Sequence, residues 1–246
     1  MKKQTIAMIL AAGKGTRLEN YTESKPKALL EINEKTLLER VVNQLINAGL
    51  SEIVINVHHF AEQIIEFLEK PDFKPIKIRV SDESEQLMDT GGGILKARAY
   101  FKDFESVLIH NVDILSDLNL PLIIDQFNKS EAMAWLLTQE RESSRKLLFD
   151  RQNQLCGWKD MRSEHYKWVK QPCVDYTELA FSGIHLFKPV LFAKYPLHKA
   201  GIIDLYLDLA RQNRIESKPI KTTYWFDLGK KSQLEEINRF FQQQES

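Results

Sequence analysis

The sequence lacks a surplus of charge, a cysteine motif, a long apolar run and a linker, and each absence removes a class of protein. Lysine plus arginine equals aspartate plus glutamate, 34 of each in 246 residues. Nucleic-acid binding is dominated by neutralising phosphates, so a balanced chain points away from nucleic acid as the main partner but leaves room for a local basic pocket. The apolar run near the start, Ile6 to Ala12, is too short to span a bilayer and lacks the form of a signal segment. Neither membrane insertion nor targeting is expected. The two cysteines, Cys156 and Cys173, show no CxxC spacing. In a chain this long they read as buried free thiols of a reducing compartment, which places the protein in the cytoplasm. No Pro/Gly/Ser-rich stretch divides the chain, and no internal repeat is present, including any hexapeptide β-helix repeat.

What is there is ordinary for a globular domain: 43% apolar and 28% charged residues. "TIAMILAA" is a continuous apolar run of the kind a strand buried on both faces needs. "TLLERVVNQLINAG" has helical spacing and a terminal glycine, Gly49. "EIVINV", "IKIRVSD" and "SVLIHNVDI" read as further strands, with helices at "AEQIIEFLEK", stopped by Pro71, and at "GGILKARAYF". Strands alternating with helices predict a parallel sheet covered on both faces. From Ala132 onward the pattern becomes strand-rich: "AMAWLLTQ", "KLLFD", "QLCGWKD", "LAFSGIHLFK" and "KPIKTTYWFDLG", with helices at Asp204 to Gln212 and Lys231 to Gln243. The expectation is one α/β domain over 1–246, with a Rossmann-like mixed, mainly parallel sheet flanked by helices. Residues 131–246 form a strand-rich second half that walls one side of a cleft.

In open α/β sheets, ligands sit beyond the carboxyl ends of the strands. Three expected strand ends are unusually polar: Ala11-Ala12-Gly13-Lys14-Gly15-Thr16-Arg17, then Ser81-Asp82-Glu83 followed by "DTGGGI", and His110-Asn111-Val112-Asp113. The first is not a Walker A loop, because Gly15 stands where Ser or Thr belongs and Met8 where the first glycine belongs. It is not a dinucleotide fingerprint either, since Leu18 replaces the third glycine. Two readings stay open for it. One is a phosphate site built on bare backbone, Lys14 and Arg17. The other is a turn with surface charges. Asp113 reads as half of a magnesium site or as a turn former, and Asp227 as its second carboxylate or as the cap of a helix near Ser232. His58 and His59 read as a surface loop, His110 as packed in its strand, and Trp225 as a core or cleft-wall residue. "QERESSRK" reads as a solvated hairpin turn. Leu234, Ile237 and Phe240 read as the packed face of the last helix.

Taken in order, "LAAGKGTRL", "SKPKALLEI", "DTGGGI", "VDI", "FSGI" and "WFDLG" resemble the sugar-1-phosphate nucleotidyltransferases, from Leu10 to Gly229. Short length, the triple glycine, "FSGI" and the tryptophan before Asp227 are most similar to the branch that uridylylates N-acetylmuramate 1-phosphate in cell-wall (peptidoglycan) recycling. The resemblance implies a nucleotidyltransferase or GT-A-like fold whose second half is the sugar side. It implies transfer of a nucleotidyl group from an NTP, UTP first, to a sugar 1-phosphate with release of pyrophosphate, assisted by Mg²⁺. Ala11, Ala12, Gly13, Lys14, Gly15, Thr16 and Arg17 are implied around the nucleotide, with Arg17 at the outer phosphates. Lys27 is implied at the reacting phosphates, and Thr90, Gly91 and Gly92 at base and ribose, with Asn111 also on the nucleotide. Asp113 and Asp227 are implied as metal ligands, and Gly157, Glu178, Ser182 and Gly183 as sugar contacts. A monomer or homodimer is expected.

The sequence departs from the family twice. Val112 replaces the glycine before the first aspartate, and Ala28 replaces the second proline of the PKP segment. Two alternatives are a sister enzyme for another sugar phosphate or for phosphocholine, and a non-catalytic nucleotide-sugar binder, against which Lys27 and both aspartates argue. A glycosyltransferase would show Asp-x-Asp, where this chain has Asn111-Val112-Asp113.

Overall fold

A computed structural model of the chain describes every residue except 1–2, 14, 16–17, 19–20, 74–75, 230 and 245–246. In chain order the strands are β1 (Lys3–Leu10), β2 (Glu31–Ile32), β3 (Lys35–Thr36), β4 (Glu52–Val57), β5 (Lys77–Asp82), β6 (Phe104–Asn111), β7 (Ile114–Ser116), β8 (Ala134–Gln139), β9 (Arg145–Phe149), β10 (Leu155–Asp160), β11 (His165–Trp168), β12 (Thr177–Phe187), β13 (Ile215–Pro219) and β14 (Trp225–Asp227). The α-helices are α1 (Leu37–Asn47), α2 (Ala61–Leu68), α3 (Asp89–Ala97), α4 (Leu120–Asn128), α5 (Ile202–Leu209) and α6 (Lys231–Gln244). They gather into two compact units whose segments interleave in sequence. The first unit is Ile6–Leu87, His110–Leu120 and Thr222–Ser246; the second is Met1–Thr5, Met88–Ile109 and Pro121–Lys221.

The first unit follows from its apolar runs. Parallel β1, β4 and β5 pair in register, Ala7 opposite Ile53 and Ile53 opposite Ile78. Ile6, Ala7, Met8 and Ile9 are fully buried, as are Ile53, Val54 and Ile55. Nothing but a two-faced cover accommodates such runs. The α1 helix buries Leu37, Leu38, Val41, Val42 and Leu45 along one stripe. Its N-cap Thr36 accepts the Glu39 N–H at 3.1 Å. Gly49, at φ +82, ends the helix turn as its sequence position predicts.

The second unit carries the mixed sheet. β12 pairs antiparallel with β8 and with β9, β10 with β9 and β11, while β13 runs parallel to β8. The α/β class with a mixed sheet and flanking helices is therefore as expected.

Several local expectations are corrected. "SVLIHNVDI" is two strands, because the chain turns at Val112–Asp113 between β6 and β7. "KPIKTTYWFDLG" is also two, β13 and β14, lying in different units. The segment after Gln139 is not a hairpin: β8 pairs with β12 and β13, and β9 with β10 and β12, so residues 140–144 cross between non-adjacent strands. Strand β11 and helix α4 were not foreseen. Cys156 and Cys173 are free thiols as expected, but half-buried rather than buried. Among the described residues no helix is long and apolar enough to cross a membrane.

Candidate active site

In the first unit, β1 ends at Leu10 and the loop from Ala11 begins. Ala11 and Ala12 are buried, while Gly13 is exposed with open space around its α-carbon. Lys14, Thr16 and Arg17 lie outside the described residues. Gly15 sits at φ +65, where a Cβ would come 2.9 Å from Thr22 Cγ2 and 3.2 Å from Lys27 Cβ. Only glycine satisfies both the left-handed backbone and the close approach. The Gly15 carbonyl accepts the Leu18 N–H at 2.8 Å and the Thr22 hydroxyl at 3.2 Å, folding the loop back beside Lys27.

Lys27 opens a 3-10 turn, Lys27–Leu29, closed by Leu29 N to Pro26 O at 2.9 Å and Leu30 N to Lys27 O at 3.1 Å. Ala28 is fully buried inside that turn, so the turn closes without the family's second proline. The Lys27 ammonium reaches Asp113 Oδ2 at 2.5 Å, with side-chain exposures of 9% and 21%. An ion pair this shielded fixes the position of both groups.

Asp113 stands in the turn after β6. The Val112 N–H donates to Leu10 O at 3.2 Å, and the Leu228 N–H donates to Asp113 O at 3.0 Å. Val112 is itself buried. β7 and β14 pair antiparallel, with Asp227 opposite Ile114. The two aspartates predicted 114 positions apart in sequence are thus carried on adjoining backbone. Both side chains are carboxylates, the hard-oxygen donor type that Mg²⁺ takes together with substrate phosphates. Among the described residues no cluster of three or more His, Cys, Asp or Glu could hold a metal by itself. Asn111 is half-buried at the end of β6. Beside it, His110 is fully buried, and its Nδ1 lies 2.8 Å from Asn111 O. Burial lowers its pKa to about 4, against smaller upward pulls from the Asn111 carbonyl and Asp113. The imidazole is neutral at physiological pH.

Two buried residues adjoin the start of this loop: Asn56, which the sequence did not single out, and Glu83, which it placed only among the polar strand ends. Asn56 Oδ1 accepts the Ala11 N–H at 2.7 Å, and Asn56 Nδ2 donates to Glu83 Oε1 at 2.7 Å. Both side chains are buried. The signal was available: Asn56 is an uncharged polar residue inside "EIVINV", a run that otherwise reads as buried.

The second unit holds the remaining predicted residues. Thr90 Oγ1 accepts the Ile202 N–H at 3.0 Å at the start of α5, and the N–H groups of Gly91 and Gly92 donate to Ala200 O at 2.8 and 3.0 Å. A Cβ at Gly91 would meet Leu205 at 2.7 Å, and one at Gly92 would meet His198 O at 2.7 Å. These amides are committed within the protein, and segment 198–201 sets the need for glycine. Gly157 on β10 faces Trp168 and Lys167, where a Cβ would clash at 2.9 Å. Glu178 on β12 pairs with Lys159 at 3.3 Å, a partner the sequence did not suggest. Lys159 also lies 5.1 Å from the Tyr166 ring. Its pKa is raised by the Tyr166 side chain first and by Glu178 next. Ser182 is fully buried, its Oγ accepting the Ile184 N–H at 3.3 Å, and Gly183 at φ +82 forms the register break of β12.

The chain belongs to the MobA-like NTP transferase domain family, which matches residues 7–180, and within it to the sugar-1-phosphate nucleotidyltransferases. It is 30% identical over 217 residues to the N-acetylmuramate alpha-1-phosphate uridylyltransferase of Caulobacter vibrioides, covering 85% of this chain and 86% of that one. The enzyme of the same name from Neisseria meningitidis serogroup B is 27% identical over 94% of this chain and 95% of its own. A crystal structure of apo UDP-glucose pyrophosphorylase superposes with a TM-score of 0.79 over the whole of both chains at 17% identity, which shows the shared fold.

Proposed function

We propose that the protein transfers a uridylyl group from UTP to N-acetylmuramate 1-phosphate, releasing pyrophosphate. The observation that carries the reading is the Lys27–Asp113 pair set against the glycine turn. The similarity to the Caulobacter enzyme along most of both chains supports the choice of base and sugar.

The acceptor phosphate oxygen is already anionic, so its attack on the α-phosphorus needs no protein nucleophile. The obstacle is repulsion between two polyanions and loss of alignment. Lys27 brings a fixed positive charge to the reacting phosphates, and the turn that carries it is closed by backbone hydrogen bonds, so little reorganisation is needed as charge develops. The loop from Ala11 to Arg17 holds the nucleotide, with Lys14 and Arg17 on the leaving pyrophosphate. Asp113 and Asp227 would hold Mg²⁺, which when bound supplies further neutralisation of phosphate charge. In the second unit, Gly157, Glu178, Ser182 and Gly183 are the sugar set, joined by Thr90, Gly91 and Gly92 toward base and ribose. The enzyme works in the cytoplasm as a monomer or homodimer, without nucleic acid or membrane.

The test is pyrophosphate release with UTP, CTP, GTP and dTTP against N-acetylmuramate 1-phosphate, other sugar 1-phosphates and phosphocholine. Turnover highest with UTP and N-acetylmuramate 1-phosphate is expected. Highest turnover with another pair reassigns base or sugar, and no turnover with any pair, despite tight nucleotide binding, makes the chain a binding protein.

A further inference from the structure

β4 is buried along all six residues, yet it carries an asparagine at its carboxyl end. Asn56 is 2% exposed and Glu83 fully buried. Burying an amide against a carboxylate costs free energy unless both are satisfied, and an apolar pair of similar volume commonly holds two strands as well or better. The pair therefore does something an apolar contact cannot. A carboxylate only accepts hydrogen bonds, so Glu83 draws the NH₂ end of Asn56 toward itself. That leaves Oδ1 facing the Ala11 N–H, 2.7 Å away. Glu83 is itself anchored: its N–H donates to Val57 O at 2.8 Å, and its carbonyl accepts the Gln86 N–H at 2.9 Å.

The connection thus runs from the segment after β5, through the end of β4, to the first residue after β1. From Ala11 the loop proceeds to Gly15, which packs within contact of Lys27 Cβ. We infer that Asn56 and Glu83 are positioning residues that act in series: Glu83 sets the amide of Asn56, and Asn56 sets the start of the nucleotide loop at Ala11. The inference rests on the proposed nucleotide role of that loop. It assigns both residues to affinity for the triphosphate and not to recognition of the acceptor.

The test measures binding of each Mg-NTP by calorimetry without sugar phosphate, so that no turnover occurs. If the wild-type protein binds none of them, the nucleotide reading itself fails. If it binds, N56A and E83L should each weaken binding about tenfold, the scale of one lost buried hydrogen bond. E83Q, whose amide oxygen can still accept, should stay within about twofold. Because the residues act in series, N56A/E83L should bind about as well as N56A alone. The KM for sugar phosphate should not move in any variant, and exchange of the Ala11 amide hydrogen should quicken in N56A and E83L only. Unchanged nucleotide affinity in N56A, or singles whose effects multiply in the double, overturns the inference. If thermal melts show N56A unfolded, the E83L and E83Q pair decides, and equal affinity in those two overturns it.

Discussion

Two lysine–carboxylate pairs include predicted site residues, one pair in each unit, and they are built differently. Lys27 and Asp113 are 86 residues apart and meet at 2.5 Å, each on a turn closed by backbone hydrogen bonds. Lys159 and Glu178 are 19 apart and meet at 3.3 Å, both on strands that pair with β9, with Glu178 29% exposed. The first pair is short, shielded and held by backbone on both sides. The second is looser and shared with Tyr166. A site that must stabilise charge in a transition state needs fixed charges out of water. A site that recognises a sugar needs donors and acceptors at its rim. On the proposed reading, the first pair serves the chemistry and the second selects the sugar.

The largest expected effect separates them in turnover. Lys27→Met and Asp113→Asn should each lower kcat by at least about a hundredfold while leaving the fold intact. Lys159→Met should leave kcat within about threefold; a loss equal to that of Lys27→Met would erase the contrast. Next comes stability. Asp113→Asn leaves a shielded ammonium without its counter-charge and should cost about 1.5 to 3 kcal/mol in urea unfolding. The double variant Lys27→Met/Asp113→Asn should regain most of that stability and none of the activity.

The third prediction compares buried histidines. Burial lowers His110 to about 4 and His185 to about 3, whereas an unfolded histidine titrates near 6.5. Between those values the unfolded chain binds the extra proton. Stability should therefore fall as pH drops below about 6.5, by up to about 1.4 kcal/mol per pH unit for each histidine. The loss from His110 should end near pH 4 and that from His185 near pH 3, and His185→Phe should flatten the melting temperature against pH more than His110→Phe. A smaller effect is a rise of about tenfold in the sugar-phosphate KM of Lys159→Met, with the NTP KM unchanged. The smallest concerns the exposed pair Lys129–Asp125, at i and i+4. Its removal should change stability by no more than about 0.5 kcal/mol.

Much of the first unit was legible because its signals are local. A continuous apolar run bounded by glycine cannot be much other than a buried strand, and α1 announces itself by its helical spacing and Gly49. The breaks were not legible. "SVLIHNVDI" carries no proline or glycine at Val112–Asp113, and its one turn signal, Asp113, reads equally as a metal ligand; the turn is held by Leu10 O and the Leu228 N–H from elsewhere in the chain. β11, "HYKW", alternates weakly and exists because β10 offers it an edge, Gly157 opposite Trp168. Gly91 and Gly92 are implied at base and ribose by the resemblance, and the carbonyl they bond, Ala200 O, lies over a hundred residues away.

By itself the sequence determined the strand and helix alternation and the glycine loop, because each depends on residue type and short spacing. Only the tertiary structure decided which residues meet. It placed Lys27 on Asp113, carried Asp227 beside the same turn through the β7–β14 ribbon, and turned an ordinary-looking asparagine toward Ala11. Those contacts join residues far apart in the chain. Their geometry follows from strand register and buried hydrogen bonds, and no local pattern records either.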